Sequence, residues 1–355
     1  MFRILALLLI PFAVGLFFFW RRFVKRALKL FQVEGKKRTV LLWVLPAAGG
    51  LAMLGAFSAP GILYLYFFLL CALSGLIARF IKNPKGKKWL CSGLPALILT
   101  LLIGAYGFIN MKTVRKTEYT VYTEKPPSRA YTVVLIADTH YGNSLKKADI
   151  EAVCARISAL HPDVLLLGGD IVDESTPDGS VHEIFAQFGG VETTYGTFYV
   201  SGNHDRGTYR AGGGHDIEAA LEGTGVIVLR DSSVPLGSEL LLLGRRDAGD
   251  RARAPIAELL PGADAAEFCI VLDHQPKQYA ENAAAGADLT LSGHTHAGQI
   301  FPAGFLTTVF GSELNYGRTE RDGMTAIVTS GASGWGFPLR TSRHSEFVVI
   351  TVIPK

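Results

Sequence analysis

Hydrophobic positions along this chain fall into two textures. Up to residue 111 they form long runs without a charge, at residues 4–20, 39–78 and 89–111. From residue 131 onward they come in short blocks, most of them closed by glycine and polar residues. A bilayer core takes about 20 apolar residues per helix. The first and third runs therefore have the length for one span each, and the middle run, at forty residues, has the length for two. Ser58, Ala59, Pro60 and Gly61 divide that middle run, because Pro and Gly punctuate a chain. The pattern predicts four transmembrane helices in residues 1–111. The first run does not read as a cleavable leader, since Arg3 is its only early charge and Trp20 is followed by Arg21 and Arg22 instead of a small-residue cleavage site.

Residues 112–130 are polar, contain Pro126 and Pro127, and read as a linker. Beyond them "YTVVLIAD" is a β-branched block with the length of a buried strand, and "KADIEAVCARISAL" has apolar residues at helical spacing. The blocks "VLLLGGD", "GTFYVSGNHD", "EFCIVLDH" and "DLTLSGHTH" each end in glycine and polar side chains, and "TAIVTSGASG" and "EFVVITVI" add further strands. Strands alternating with helices predict an α/β sheet domain over residues 131–355. In such folds ligands bind beyond the carboxyl ends of the strands. The polar clusters all sit there.

Charge sharpens the picture of the first half. The net charge of +4 arises unevenly: residues 21–38 carry eight Lys or Arg against Glu34, and residues 79–88 carry five and no acid. Basic clusters can mark nucleic-acid binding, but between predicted membrane spans they report topology, and no nucleic-acid partner is expected. Short loops rich in Lys and Arg stay in the cytoplasm. That puts the N-terminus and everything after the fourth span outside; Lys112, Arg115 and Lys116 oppose this, three charges against thirteen. Cys71, Cys91, Cys154 and Cys269 form no C-x-x-C pair and read as small buried hydrophobes.

The strand ends carry the chemistry. Singly they are weak: Asp138 and His140 form a D-x-H, Asp170 and Asp173 could belong to a turn, Asn203 and Asp205 could cap a helix, and a lone His274 is more often a satisfied core histidine. Together with His294 and His296 in "SGHTHAGQ" they cease to look independent. Each follows an apolar strand, and Asp and Asn oxygens mixed with imidazole nitrogens suit Mn, Fe or Zn. Two histidines in one glycine-flanked turn can reach two neighbouring metals.

This set, Asp138-x-His140, Gly169-Asp170-Ile171-Val172-Asp173, Gly202-Asn203-His204-Asp205, His274 and Gly293-His294-Thr295-His296, resembles the calcineurin-like metallophosphoesterase superfamily, in particular its bacterial membrane-associated branch. The resemblance covers roughly residues 131–353 and implies a metallophosphoesterase-type β-sandwich flanked by helices. It implies two divalent metal ions, the first on Asp138, His140 and His296, the second on Asn203, His274 and His294, with Asp170 bridging. It also implies that His204 is a catalytic acid and that Asp173 orients it. Two cations about 3.5–4 Å apart can clamp the attacking and leaving oxygens of an in-line displacement. Where that branch usually has a second glycine, this chain has Ala297, a change that costs little unless the backbone there is left-handed.

Arg340, after "GWGFPLR", is a candidate phosphate contact, since a guanidinium suits phosphate oxygens. His215 follows three glycines and starts a helix or serves a mobile loop, and His344 lies in a loop that could reach the site. His161 and His182 read as surface residues. The expected protein is a membrane-anchored dinuclear phosphoesterase acting on a lipid- or envelope-linked phosphoester, with its catalytic domain outside. Three alternatives differ from it: a cytoplasmic-facing pyrophosphohydrolase of the UDP-diacylglucosamine type, a transporter built on the four helices, and a non-catalytic metal scaffold. The transporter reading suffers from the lack of intramembrane charges. The scaffold reading suffers from the presence of His204, which binds no metal.

Overall fold

The computed structural model describes residues 14–355 apart from 16, 19, 23, 27, 30–31, 55–57, 126, 206–214 and 261–266. The chain divides into two compact units, Met1–Gly107 and Phe108–Lys355.

The first unit is helical. Among the described residues two helices are long and apolar enough to cross a membrane, Ala59–Ile77 and Leu94–Lys112. Their apolar side chains point outward: Leu69, Leu73, Leu97, Leu101 and Leu102 are all exposed. A water-soluble helix hides that surface. Of the four predicted spans, residues 4–20 fall largely outside the described residues. The helix Gly35–Leu54 covers part of the second, but it opens with Lys36, Lys37 and Arg38, contains Pro46, and is not among those apolar enough to cross. The expected turn at residues 58–61 is the start of a helix. Ser58 caps it by accepting from the Gly61 amide at 3.2 Å, and Pro60 lies in the first turn, where a missing N–H costs nothing.

The second unit is a sandwich of two six-stranded mixed sheets. Its strands are β1 (Arg115–Thr123), β2 (Tyr131–Ile136), β3 (Val164–Leu167), β4 (Thr197–Tyr199), β5 (Val226–Val228), β6 (Ser232–Leu236), β7 (Leu240–Gly244), β8 (Phe268–Leu272), β9 (Leu289–Ser292), β10 (Gly317–Arg321), β11 (Met324–Val328) and β12 (Glu346–Pro354). One sheet runs β1-β12-β2-β3-β4-β5, the other β10-β11-β9-β8-β7-β6. β2, β3, β4 and β5 are parallel, as are β7, β8 and β9. Val133, Leu135, Leu166, Phe198 and Ile350 from one sheet meet Leu242, Phe268, Ile270, Leu289 and Leu291 from the other to form the central core. Helices Lys147–Ser158 and Val181–Gly189 cover the outer face of the first sheet with Ile150, Ile157, Phe185 and Phe188. Ile256 and Tyr279 cover the second. The α/β sandwich flanked by helices is thus the observed architecture.

Part of the expected linker is structured. β1 pairs parallel with β12 along nine residues, from Arg115 opposite Glu346 to Thr123 opposite Pro354. Thr117, Tyr119, Val121 and Thr123 face inward in alternation while Glu118 and Tyr122 are exposed. This two-residue period is a strand signal that the polar composition obscured.

Candidate metal centre

Every proposed ligand stands just past the carboxyl end of a strand: Asp138 and His140 after β2, Asp170 after β3, Asn203 after β4, His274 after β8, His294 and His296 after β9. Parallel strands from both sheets deliver them to one rim. The backbone there is held in an unusual conformation. Asp138, His140, Asp170, His294 and His296 all have positive φ, between 40° and 72°. A left-handed non-glycine residue costs roughly 1–2 kcal/mol, and such strain collects where a site over-determines the chain.

Two groups of side chains result. Asp138, His140 and His296 form one and Asp170, His274 and His294 the other, with ligand atoms within 4.8 Å of one another in each. Asn203 Oδ1 is 3.2 Å from His274 Nε2 and joins the second group. Asp170 Oδ2 lies 3.2 Å from His274 Nε2 and 3.9 Å from His140 Nε2, so one carboxylate faces both groups. Its other oxygen accepts the His204 amide at 2.8 Å. Glycine is required beside these carboxylates: a Cβ on Gly202 would lie 2.1 Å from Asp170 Oδ1, and one on Gly293 2.4 Å from Asp138 Oδ2.

The donor set fits cations. His274 Nδ1 donates to the Gly168 carbonyl at 2.8 Å, His296 Nδ1 to the Ser333 carbonyl at 3.2 Å, and His140 Nδ1 faces Asp173 Oδ2 at 3.0 Å. Carbonyls and an ionised carboxylate only accept, so these bonds fix the ring tautomers, as outer partners of metal ligands do. The Nε2 atoms of His140 and His296 then face each other at 3.2 Å. Buried acceptors meeting without a donor need positive charge. Burial works against charge on His140 and His274, but Asp173 and Asp170 outweigh it and raise both above the ordinary histidine range. Burial and the neighbouring His274 push His294 down to about 4, and burial with His140 pushes His296 well down. Burial lifts Asp138 to about 6, whereas His274 and His140 overcome burial and keep Asp170 ionised. Protons and cations compete for the same lone pairs here.

Two expectations are corrected. Asp173 does not orient His204. Its Oδ1 accepts from the Ser175 amide and hydroxyl at 2.8 and 2.6 Å, which turns the carboxylate toward His140. The longer arm of Glu174 reaches His204 instead, with Oε2 3.0 Å from Nδ1, and its Oε1 accepts Trp335 Nε1 at 2.8 Å. Arg340 is not a surface group open to phosphate. It is fully buried and donates to the carbonyls of His296 at 3.1 Å and of Ser333, so it braces the ligand turn from behind. His215 is tied to Asp178 and to the Asp173 carbonyl, and His344 to Glu346.

Glu174 and Trp335 were not visible in the sequence as site features, while Asp205 could be read there as a helix cap or as a support behind the ligands. Asp205 is buried and accepts the amides of Asp170, Gly202 and Val172 at 2.7, 2.8 and 3.0 Å, stitching the β3 and β4 loops together. Its place beside Asn203 and His204 was the one available signal. Glu174 carried none that separated it from its neighbour Asp173.

A calcineurin-like phosphoesterase family model matches residues 131–298. An uncharacterized metallophosphoesterase of Helicobacter pylori is 34% identical over 261 residues, covering 71% of this chain and 67% of that protein. An uncharacterized metallophosphoesterase of Aquifex aeolicus is 28% identical, covering 72% of this chain and 98% of that protein. A Danio rerio protein described as a transmembrane protein with metallophosphoesterase domain is 27% identical, covering 82% of this chain and 70% of its own length. The chain belongs to the calcineurin-like phosphoesterase family, whose members use a dinuclear divalent metal centre, and is a metal-dependent phosphoester hydrolase.

Proposed function

We propose that the protein is a membrane-anchored phosphodiesterase acting on a lipid- or envelope-linked phosphoester. The observation that carries the reading is Asp170 Oδ2 facing both ligand groups. Asp138, His140 and His296 would hold one ion, Asn203, His274 and His294 the other, and Asp170 would bridge them. The donor set suits Mn, Fe or Zn. When bound, the ions supply Lewis acidity toward water and the phosphoryl oxygens.

The chain's own residues do the rest. Asp173, Gly168 and Ser333 hold three imidazole rings in the orientation that frees Nε2 for binding. His204 is the proton donor to the leaving oxygen, and Glu174 holds its ring through Nδ1. Trp335, with its ring centroid 5.1 Å from that of His204, limits the ring's swing. Anchoring by the apolar helices confines the site near a bilayer, which favours substrates that reside there.

Purified full-length protein should carry about two divalent ions per chain. Asp170→Asn should lose both or scramble their ratio, while His296→Ala should mainly empty the first position. Elemental analysis finding full hydrolysis of a soluble diester in metal-free protein would overturn the reading.

A further inference from the structure

The segment leaving the ligand turn is apolar and uncovered. Past His296 the chain turns through Gln299 into the helix Gly304–Val309, none of whose residues is buried. Phe305 is 62% exposed, Val309 69% and Phe310 80%. Phe305 and Val309 are four positions apart, as are Leu306 and Phe310, so the four share a broad face. Trp335, also exposed, stands beside His204 with ring centroids 5.1 Å apart. Contiguous exposed apolar surface of this kind marks a binding face.

How the ridge is held indicates what covers it. Gln299 Nε2 donates to the carbonyls of Trp335, Phe337 and Leu339 at 3.2, 3.3 and 3.2 Å, and the Phe301 amide donates to Thr341 Oγ1 at 3.1 Å. The same loop receives the end of the membrane-length helix Leu94–Lys112. Asn110 Nδ2 donates to the carbonyls of Arg340 and Arg343, each at 3.2 Å, and Ser345 Oγ to that of Met111 at 2.8 Å. Phe108 and Ile109 in the last turns of that helix are exposed, and so are Lys112, Arg115 and Arg343 close by in chain or contact. An apolar helix end, a set of cations and an apolar ridge hung from one loop match a bilayer surface. The ridge suits acyl chains and the cations suit lipid phosphates.

We propose that Phe305, Leu306, Val309 and Phe310 seat in the headgroup–acyl boundary of the membrane and hold the mouth of the metal centre against the lipid surface. The catalytic benefit rests on the phosphodiesterase reading above; the docking does not. A substrate phosphate at headgroup level could then enter beside Trp335 without leaving the bilayer.

The test uses full-length protein carrying Cys71→Ser, Cys91→Ser and Val309→Cys, labelled with bimane and placed in nanodiscs of phosphatidylcholine and phosphatidylglycerol. A nitroxide high on the acyl chain should quench this label and spare one at Ile227→Cys on the exposed part of β5. In unlabelled protein, Phe305→Ser/Phe310→Ser should lower turnover of a nanodisc-embedded phosphatidyl nitrophenyl diester about ten- to hundredfold relative to bis(nitrophenyl) phosphate in solution. An unquenched label at 309 in protein that hydrolyses the soluble diester overturns the docking, as does equal quenching at both positions or an equal loss on both substrates. Quenching at 309 alone, in protein that hydrolyses neither diester, upholds the docking and defeats the phosphodiesterase reading.

Discussion

At the scale of the residue, His204 and Glu346 allow the sharpest tests. A leaving alkoxide departs poorly unless protonated, and general acid catalysis by a placed side chain is worth about 10²–10⁴-fold. His204→Ala should keep near-normal metal content and lose about that factor on substrates with alkoxide leaving groups. With nitrophenol, which leaves unaided, the loss should be much smaller. Metal loss in this variant would make His204 a ligand, and an equal loss on both leaving groups would make it a charge stabiliser. Glu174→Gln should shift the same comparison in the same direction by less. Glu346 is a fully buried carboxylate that belongs to neither ligand group. It accepts from Thr117, Tyr316, Thr329 and the Ser330 amide and pairs with His344 at 3.2 Å. Burial works against its charge, yet His344 and these donors hold it below the ordinary glutamate range. Its stabilisation is therefore complete above the unfolded value of about 4.3 and drains as pH falls toward the folded one. Glu346→Gln should cost about 1–3 kcal/mol at neutral pH and flatten the loss of stability in acid, measured as melting temperature against pH.

At the scale of the element, strand ends were legible and strand partners were not. Blocks such as "VLLLGGD" announce a buried strand closed by a polar turn, which is why the polar clusters at the strand ends stood out, while the choice of seven of their residues as ligands came from the family resemblance. The pairing of β1 with β12 joins residues far apart in the chain, and no local pattern encodes it. The same limit explains Glu174 and Arg340: which neighbour a side chain reaches depends on loops brought together by the fold. Ala297 shows the limit at finer grain. It stands at φ 50°, ψ 31°, so the condition under which alanine is costly there is met. Replacement by glycine relieves roughly 1–2 kcal/mol, but it forfeits a buried methyl worth about 0.8 kcal/mol and adds unfolded-state freedom worth roughly 0.5–1 kcal/mol. The three nearly cancel. β1 also bears on where an independent fragment can start. A fragment beginning at Tyr131 strips nine paired residues from β12 and leaves an apolar edge, which invites aggregation. One beginning at Phe108 keeps β1 and the Asn110 and Met111 contacts. The shorter fragment should melt lower and aggregate more in light scattering; equal behaviour would mean β1 contributes nothing to the sheet.

At the scale of the whole molecule, the proposed membrane anchoring makes a prediction about the side on which the catalytic unit faces, and it turns on the residues around the helix Leu94–Lys112. Spans earlier than residue 79 do not matter to it. If residues 79–88 lie in the cytoplasm and the helix Leu94–Lys112 crosses once, the unit that follows is outside whatever the preceding segments do. Five cations and no acid occupy residues 79–88, against Lys112, Arg115 and Lys116 on the far side of the helix. Charges in a short loop weigh more than charges leading into a long folded domain, which translocates largely regardless. Arg115 and Lys116 also belong to β1 and are committed to the sheet. On the anchored reading, the charge balance predicts an outward catalytic unit. A reporter fused after Lys355 that is active only outside the cytoplasm should be active in the native protein. Replacing Arg79, Lys82, Lys85, Lys87 and Lys88 with glutamine should weaken or mix the signal, because the charges next to the helix Leu94–Lys112 then lie only on its far side. Activity only from a cytoplasmic reporter in the native chain would sink the outward arrangement and favour a substrate such as a nucleotide-linked lipid presented from within.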